Sequence, residues 1–339
     1  MTAARIDREF PFQVAMAEKQ RNWASTTVNH FCRIHDLSVA PFGHSVCIDN
    51  DTYVVTCFAQ PEHAEAFRRA FDGYRFDPRD RGRGHNWMKW TPRQFPLTFM
   101  QEELIKDASM CNLYSHTSNR QAIIDLARAF RISERIGNLE PQSGIFPNYL
   151  APIVRPVDGE RELTLGRWGM PSPSFALKGK AYDPGITNIR NTKSPHWRRW
   201  LSPHSRCVVP FTSFSEYDHT KGPDGKKLGD TWFALDETRP LAFFAGVWTN
   251  YTSVRRIRGD DGNYRNQEIT DDLYGFLTCE PNAEVGKVHE KAMPVILTTP
   301  DEIDLWLTAP WAEAEALQRP LPDGSLDIVA VGRKFDDVD

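Results

Sequence analysis

The sequence predicts an α+β chain in which a curved mixed β-sheet or barrel with flanking helices follows a small α/β unit. Three observations support this fold class. Short strand-like runs recur from residue 111 onward with few helices between them, which is typical of a curved mixed sheet or barrel. A strand–turn–helix pattern occupies residues 1–84. The polar stretch 77–84, Asp-Pro-Arg-Asp-Arg-Gly-Arg-Gly, forms a solvated boundary at the end of that pattern.

Residues 1–84 predict a small α/β unit with a ferredoxin-like or similar fold. Helical spacing over 26–37 indicates one helix, and the alternating run 45–58 indicates a β-hairpin. A second helix is expected over 61–71, because a proline at the first helical turn loses no hydrogen bond that the helix needs. No functional site is evident in this unit.

Residues 85–109 are predicted to be a linker or docking arm, and residues 111–339 the larger domain. Strands of that domain are expected at 151–155, 163–168, 206–210, 231–235, 241–248, 273–278, 295–297 and 326–331. Helices are expected at 119–130, 194–201 and 300–307, and loops at 176–191 and 219–230.

Composition narrows the class of protein. A hydrophobic content of 40% with mixed charges is typical of a soluble globular protein, and the charged N-terminus lacks the apolar core of a signal peptide. No apolar run reaches the ~18 residues that a membrane span needs, so a cytoplasmic protein is expected. The 6 cysteines form no Cys-x-x-Cys pair and are expected to be free thiols. Neither a cofactor nor a metal site is expected.

A net charge of −4 argues against bulk nucleic-acid binding, yet residues 178–206, here called the basic segment, are strongly cationic. Its basic residues are Lys178, Lys180, Arg190, Lys193, Arg198, Arg199 and Arg206, opposed by Asp183 alone. Aromatic residues lie within it or just upstream: Trp168, Phe175, Tyr182, Trp197 and Trp200. Two interpretations stay open, namely single-strand nucleic-acid binding and a solvated charged surface with core tryptophans.

The pair Met110-Cys111 reads like the start of a protein. Translation from Met110 followed by removal of the methionine would leave Cys111 with a free amine and a free thiol. Such an aminothiol forms a Schiff base with an aldehyde, and its thiol then closes a five-membered thiazolidine ring. An N-terminal nucleophile of a hydrolase is a second interpretation. A buried thiol is the interpretation for an internal cysteine.

The stretch Met110–Ser115, Met-Cys-Asn-Leu-Tyr-Ser, is followed in order by five further motifs. They are Gly166–Pro173, Thr187–Thr192, Arg206–Tyr217, Leu241–Trp248 and Val288–Leu297. Together they resemble the SOS-response-associated peptidase (SRAP) family, whose members crosslink covalently to abasic sites in single-stranded DNA. The resemblance extends from Cys111 to about Gly332 and implies a SRAP-like fold for residues 111–339.

The resemblance implies a role for four residues in catalysis. Cys111 would be the nucleophile that forms the thiazolidine with the ring-opened sugar aldehyde. Asn188 would hold Cys111 and the sugar by hydrogen bonds, and Glu216 would shuttle protons. His289 would act as acid and base toward the sugar oxygen. This activity combines DNA–protein crosslinking with peptidase (hydrolase) and lyase-like chemistry.

The resemblance also implies DNA contacts. Arg190 would clamp a phosphate, since a planar guanidinium suits this contact, and Trp168 and Pro147 would pack against or wedge the bases. Arg198 and Arg199 are expected to contribute to a positively charged groove, near residues 178–206, that binds the DNA. The expected partner is single-stranded DNA containing abasic sites, bound by a monomer.

Three positions depart from the family pattern. The Glu of the family motif Asn-Ala-Arg-Ser-Glu-Thr is absent, and Asn191-Thr192-Lys193 stands there instead. The His-Asp-Arg-Met-Pro motif reads His-Glu-Lys-Ala-Met-Pro from His289, and Tyr217 replaces the usual Trp. These changes affect the expected DNA contacts more than the expected reaction.

The preceding 109 residues are a larger departure, because a peptide-bonded Cys111 has no α-amine and cannot form a thiazolidine. Met110 could be the true start, the segment could be removed by cleavage before Cys111, or the fused form could be inactive or only DNA-binding. Two further functions stay open. One is a cysteine peptidase with Cys111 as nucleophile, His289 as base, and Glu216 or Asn188 as the orienting group. The other is a non-catalytic DNA-binding module.

Overall fold

The computed structural model describes residues 3–17, 28–48, 51–82, 86–92, 112–222, 225, 227–259 and 261–337. The chain forms two compact units, Met1–Glu103 and Leu104–Asp339. Met110 and Cys111 lie outside the described residues. The predicted division into residues 1–84, 85–109 and 111–339 stays a prediction.

The first unit is a four-stranded antiparallel sheet with helices. Its elements are helices α1 (Ala3–Glu9), α2 (residues 28–34) and α3 (Pro61–Phe71), strands β1 (Phe12–Ala17), β2 (His44–Ile48), β3 (Asp51–Phe58) and β4 (Tyr74–Phe76), and a 3₁₀ turn at Pro78–Asp80. The strands pair in the order β2-β3-β1-β4. Because α2 connects β1 to β2 and α3 connects β3 to β4, this is the split β-α-β order of a ferredoxin-like sheet, as predicted.

Apolar side chains cover both faces of this sheet, since successive strand residues point to opposite sides. Val14 and Met16 of β1 pack with Phe67 of α3 in one cluster, while Ala15 packs with Trp90 in another. Trp90 comes from the segment predicted to be a linker or docking arm. Its backbone N–H donates to the carbonyl of Cys47 at 2.9 Å, so residues 86–92 pack on the first unit.

The second unit is built mainly from strands. They are β5 (Leu113–His116), β6 (Arg131–Ile132), β7 (Gln142–Ile145), β8 (Leu150–Val157), β9 (Glu160–Trp168), β10 (Asn188–Ile189), β11 (Arg206–Phe211), β12 (Ser213–Lys221), β13 (Lys227–Ala234), β14 (Ala242–Arg258), β15 (Tyr264–Cys279), β16 (Met293–Pro294), β17 (Ile296–Leu297) and β18 (Asp327–Val331). The helices are α4 (Arg120–Ala127), α5 (Ser174–Leu177), α6 (Pro195–Arg198), α7 (Ala283–Gly286), α8 (Pro300–Thr308) and α9 (Trp311–Ala314), with 3₁₀ turns at Glu134–Ile136, Pro203–Ser205 and Glu315–Leu317. The predicted α+β class is confirmed.

Five strands close into a small barrel. They follow the order β15-β14-β11-β8-β9, and β9 pairs in parallel with β15 through Leu273↔Arg167 and Tyr274↔Trp168. Every residue of β11 is buried, as expected of a central strand. The interior is narrow: a Cβ on Gly246 would lie 2.8 Å from the Cys207 sulfur, so only glycine fits there. The stacked rings of Phe211 and Phe244, with centroids 3.9 Å apart, fill its core.

A second sheet has five strands in the order β18-β13-β12-β5-β7, and its strand β5 begins directly after Asn112, the residue next to Cys111. Strand β12 was not predicted, and the loop predicted over 219–230 is instead the end of β12 and the beginning of β13. The error has a physical cause: the outer part of this hairpin is exposed and polar, so no alternation of apolar residues marks it. The loop predicted over 176–191 likewise contains β10.

Strands β14 and β15 extend well beyond their predicted ranges. They pair continuously from Asn250↔Asp272 to Arg258↔Tyr264, past the last pairing of β14 with β11 at Val247↔Arg206. Residues 250–258 with 264–272 thus form a two-stranded ribbon, here called the arm. Its side chains are largely polar and exposed, which explains why the apolar runs 241–248 and 273–278 marked only its base.

Candidate functional site

A cavity of about 360 Å³ brings together residues that are far apart in the sequence. Three of the predicted site residues line it, namely Glu216, His289 and Pro147. Asn112, which is bonded to Cys111, lines it as well. The other lining residues are Leu113, Phe146, Ser215, Tyr217, His219 and Asp230. The geometry of Cys111 itself lies outside the described residues.

Glu216 is placed by strand pairing on both sides of β12. Next to it, Ser215 pairs with Leu113 of β5, and Glu216 itself pairs with Thr231 of β13. Because backbone hydrogen bonds hold β12 between two strands, the carboxylate has little freedom to move. Glu216 is only 5% exposed, and it lines the same cavity as Asn112. A carboxylate held in this way can exchange a proton with a bound molecule but is shielded from bulk water.

His289 follows helix α7 and reaches the cavity from another part of the chain. Its backbone N–H donates to the carbonyl of Val285 at 2.7 Å, and its ring Nδ1 lies 3.1 Å from the carbonyl oxygen of Ala292. A carbonyl can only accept, so this contact places a proton on Nδ1. In the neutral ring, Nε2 is then the nitrogen with a free electron pair, able to take up or return a proton.

Asn188 lies behind the cavity and is fully buried on β10. Its amide Nδ2 donates to the hydroxyl of Thr187 at 2.9 Å, and that hydroxyl donates to Oδ1 of Asn112 at 3.1 Å. Parallel pairing with Phe276 of β15 fixes this strand to the barrel. A chain of hydrogen bonds therefore joins Asn188 to the residue next to Cys111.

Trp168, which the resemblance implies as a DNA-contact residue, is buried in the core of the second unit. Its side chain is fully buried, stacked against Phe276 with ring centroids 5.2 Å apart and edge-on to Tyr114. A ring with no exposed surface cannot stack on a base. Its indole N–H donates to the carbonyl of Thr187 at 3.2 Å, so Trp168 instead supports the hydrogen-bonded chain that leads to Asn112.

The loop carrying Pro147 is held by its neighbour Asn148, which adopts a left-handed backbone conformation with φ of 71°. The Asn148 N–H donates to the carbonyl of Trp168 at 2.7 Å, and its side-chain amide donates to the carbonyl of Arg256 at 2.8 Å. Its own carbonyl accepts from the guanidinium of Arg167 at 2.7 Å. These three bonds offset the cost of the unfavourable φ and fix the cavity wall.

The predicted phosphate-binding residues lie outside this cavity. Arg190 is ion-paired with Glu280 and lines a separate cavity of about 290 Å³. Arg198 and Arg199 are exposed, whereas Arg206 is fully buried and donates to the carbonyl of Ala309. The tryptophans of the basic segment, Trp197 and Trp200, are also buried. The burial of these two tryptophans agrees with the interpretation of the segment as core tryptophans beneath a charged surface.

Asp230 and His219 are cavity residues that sequence reasoning missed. Burial raises the pKa of the Asp230 carboxyl, an effect that nearby Lys334 partly offsets. The ring of His219 contacts that of Tyr217, and its Nδ1 lies 3.2 Å from the ammonium of Lys227. Both residues come from the segment expected to be a loop. Recognising the hairpin would have placed Asp230 opposite Tyr217, beside Glu216.

The described side chains bring together no group of three or more His, Cys, Asp or Glu residues that could hold a metal ion. In the described ranges, every helix is too short or too polar to span a lipid bilayer.

No characterised protein among the curated sequences matches this chain. Among solved structures, a phage-related protein from Bordetella bronchiseptica is similar, with 20% identity and a TM-score of 0.43 over 64% of this chain and 92% of that protein. The family model of the SOS response associated peptidase (SRAP) matches residues 110–338. The chain therefore belongs to the SRAP family, which associates it with the SOS response to DNA damage.

Proposed function

We propose that this protein binds single-stranded DNA and crosslinks covalently to abasic sites through Cys111. One observation carries the proposal: Glu216 and His289 line the same cavity as Asn112, the residue bonded to Cys111. A carboxylate and an imidazole thus share a cavity with the residue bonded to the proposed nucleophile. Family membership supports the link to DNA damage.

The proposed reaction begins with opening of the abasic sugar ring: His289 Nε2 takes the proton of the C1 hydroxyl and returns it to the ring oxygen as the bond between C1 and that oxygen breaks, which exposes an aldehyde. The free α-amine of Cys111 adds to the aldehyde carbon, and water leaves as the imine forms. The thiol then adds across the carbon–nitrogen double bond and closes the thiazolidine. Glu216 takes the proton released by the amine and delivers one to the departing oxygen, so aldehyde and aminothiol give thiazolidine and one water.

Positioning in this proposal comes from the buried side of the cavity. The bonds from Asn188 through Thr187 to Asn112 hold the chain next to Cys111 in place. Because Asn188 and Thr187 are buried, the hydrogen bond between them is shielded from competing water. Asn188 thereby acts on Cys111 through Asn112 as well as through any direct contact with the sugar.

DNA would reach the cavity along its exposed rim. Pro147 lines this rim and can wedge against a base, whereas Arg190, Arg198 and Arg199 are candidates for phosphate contacts away from the cavity. Trp168 has no part in this surface because it is buried.

The direct test is a protein that begins at Met110, from which the methionine is removed so that Cys111 becomes the first residue. It is mixed with a single-stranded oligonucleotide containing one abasic site and run on a denaturing gel. We expect a shifted band that disappears in a Cys111→Ser variant and with an undamaged oligonucleotide. Absence of a Cys111-dependent band would refute the proposal.

The full chain is run alongside, because its Cys111 has no α-amine. We expect no stable adduct from it unless cleavage before Cys111 exposes that amine, which the intact mass of the protein reveals. Turnover of other protein substrates, blocked by Cys111→Ser, would instead favour a cysteine peptidase. Unchanged single-strand affinity after this substitution, with no covalent product from either protein, would favour a non-catalytic DNA-binding module.

A further inference from the structure

The arm has two faces with different chemistry. Directly paired residues of antiparallel strands have their side chains on the same face, and the pairing therefore assigns each residue to one side. One face, here called the cationic face, contains Asn250, Thr252, Val254, Arg256 and Arg258 of β14 and Tyr264, Asn266, Glu268, Thr270 and Asp272 of β15. The opposite face contains Tyr251, Ser253, Arg255, Ile257, Arg265, Gln267, Ile269 and Asp271.

The guanidinium groups of the cationic face are available to a ligand. Arg256 and Arg258 are exposed, and neither forms an ion pair with another described residue. On the opposite face, Arg255 is fully buried against the carbonyl of Gly169, and Arg265 is ion-paired with Asp261. The two faces thus hold the same number of arginines, but only one presents them without a carboxylate partner.

Aromatic rings accompany the free guanidinium groups. The Arg256 guanidinium lies 5.6 Å from the ring centroid of Tyr264 and 5.8 Å from that of Tyr182. Tyr264 is 56% exposed, so one side of its ring is open to solvent. Rings and arginines exposed together are what a single strand requires, because its bases stack on the rings and its phosphates bind the cations.

The cationic face is connected to the cavity wall. The carbonyl of Arg256 accepts from the side chain of Asn148, next to Pro147, and the carbonyl of Val254 accepts from the backbone N–H of Asp183. The outer edge of β14 therefore touches both the loop that lines the cavity and the start of the basic segment. A strand leaving the cavity past Pro147 would meet the arm first.

We propose that the cationic face of the arm binds the single-stranded nucleic acid that flanks the nucleotide held in the cavity. Arg256 and Arg258 contact phosphates, and Tyr264 stacks on a base. The inference rests on the proposed function for the identity of the ligand, but it concerns a different part of the molecule. It requires only noncovalent binding and so can be measured on the full chain.

The experiment measures binding of the full chain to a fluorescein-labelled, undamaged single-stranded oligonucleotide by anisotropy at several salt concentrations. Arg258→Gln is compared with Arg265→Gln, which removes the same charge from the opposite face. Tyr264→Ala is compared with Tyr251→Ala, which removes an exposed tyrosine from the opposite face. Thermal unfolding of each variant checks that the fold is retained.

We expect Arg258→Gln to weaken binding about fivefold and to reduce the slope of log Kd against log salt by about 0.7, the value for one lost phosphate contact on a single strand. Tyr264→Ala is expected to weaken binding at least about fivefold with little change in that slope. The controls Arg265→Gln and Tyr251→Ala should change affinity by less than about twofold.

Equal effects of the matched variants would overturn the inference, because the loss would then follow overall charge or aromatic content and not the face. If the arm variants bind like the unchanged protein while a protein starting at Met110 still crosslinks, the arm inference fails and the proposed function stands. If the full chain binds no single strand at any salt concentration, the arm inference fails, and crosslinking decides the proposed function separately.

Discussion

The sequence indicated functional residues in both the cavity and the basic segment, but the structure places the indicated residues of these two regions differently. Glu216 and His289, from distant motifs, both line the cavity. In the basic segment, Trp197 and Trp200 are buried, whereas Arg198 and Arg199 are exposed. Ionisable side chains such as those of Glu216 and His289 are rarely buried in an apolar core, whereas a tryptophan between charged residues often is. Adjacency in sequence therefore did not put rings and cations on one surface.

The arm shows the opposite combination. Its sequence gave no sign of a binding surface, but Tyr264 and Arg256 are exposed together because β-strand pairing aligns them on one face. A surface suited to single-stranded nucleic acid needs an aromatic ring and a guanidinium that are exposed together, and the two residues need not be close in sequence. The following predictions test this contrast between cavity, core and surface.

The largest effect is expected at the cavity. Glu216→Gln keeps the size of the side chain but removes its ability to take up and return protons, so the rate of adduct formation by a protein starting at Met110 should fall by about 10²–10⁴-fold. Gel quantification over time measures it. The matched control is Asp230→Asn, which alters another carboxyl in the same cavity. A greater loss from the control would identify Asp230 as the proton carrier.

Trp168 tests the distinction between core and surface. Trp168→Ala should lower the free energy of unfolding of the second unit by about 3–5 kcal/mol, because it leaves a cavity in the barrel. Trp168→Phe keeps most of the packing and loses the bond to the Thr187 carbonyl, at a cost of about 1 kcal/mol. Urea unfolding followed by circular dichroism measures both. Unchanged stability with weaker DNA binding would restore Trp168 as a DNA-contact residue.

His116 is a buried titratable residue outside the cavity, and we expect it to affect stability and not the reaction. Burial lowers its pKa from 6.5 to about 4, so the unfolded chain takes up a proton first as the pH falls. The contribution of His116 to stability is complete above pH 6.5 and is lost as the pH falls toward 4, by up to about 3 kcal/mol.

In a His116→Phe variant, the dependence of stability on pH between 6.5 and 4 should become flatter, as measured by urea unfolding at several pH values. The corresponding substitution at His44, whose pKa is also lowered to about 4, serves as a control in the first unit. An unchanged profile of the second unit in the His116 variant would show that other groups set its acid sensitivity.

The smallest effects are expected in the basic segment. Arg198→Gln and Arg199→Gln change exposed side chains, so each should alter the free energy of unfolding by less than about 0.5 kcal/mol. Each should weaken single-strand binding by only about twofold, because the segment offers these cations no exposed tryptophan on which a base could stack. The guanidinium of Arg199 itself lies over the ring of the buried Trp200. A tenfold loss from either variant would make this segment the main DNA surface.

Much of the fold followed from local patterns. The helix α3 with its proline start, the hairpin of β2 and β3, and the largely apolar β11 are set by neighbouring residues and were predicted. The hairpin of β12 and β13 and the arm were missed, because their polar exposed residues lack the alternation that marks a half-buried strand. Pairing with a partner strand stabilises them instead.

The sequence by itself determined the α+β class, the family motifs, and Glu216 and His289 as candidates for proton transfer. Only the tertiary structure decided that these two residues share a cavity with Asn112, that Trp168 is part of the core, and that the arm exposes Arg256 and Tyr264 together. The reason is physical: the type of a side chain is local, but its burial and its neighbours depend on strands that come from distant parts of the chain.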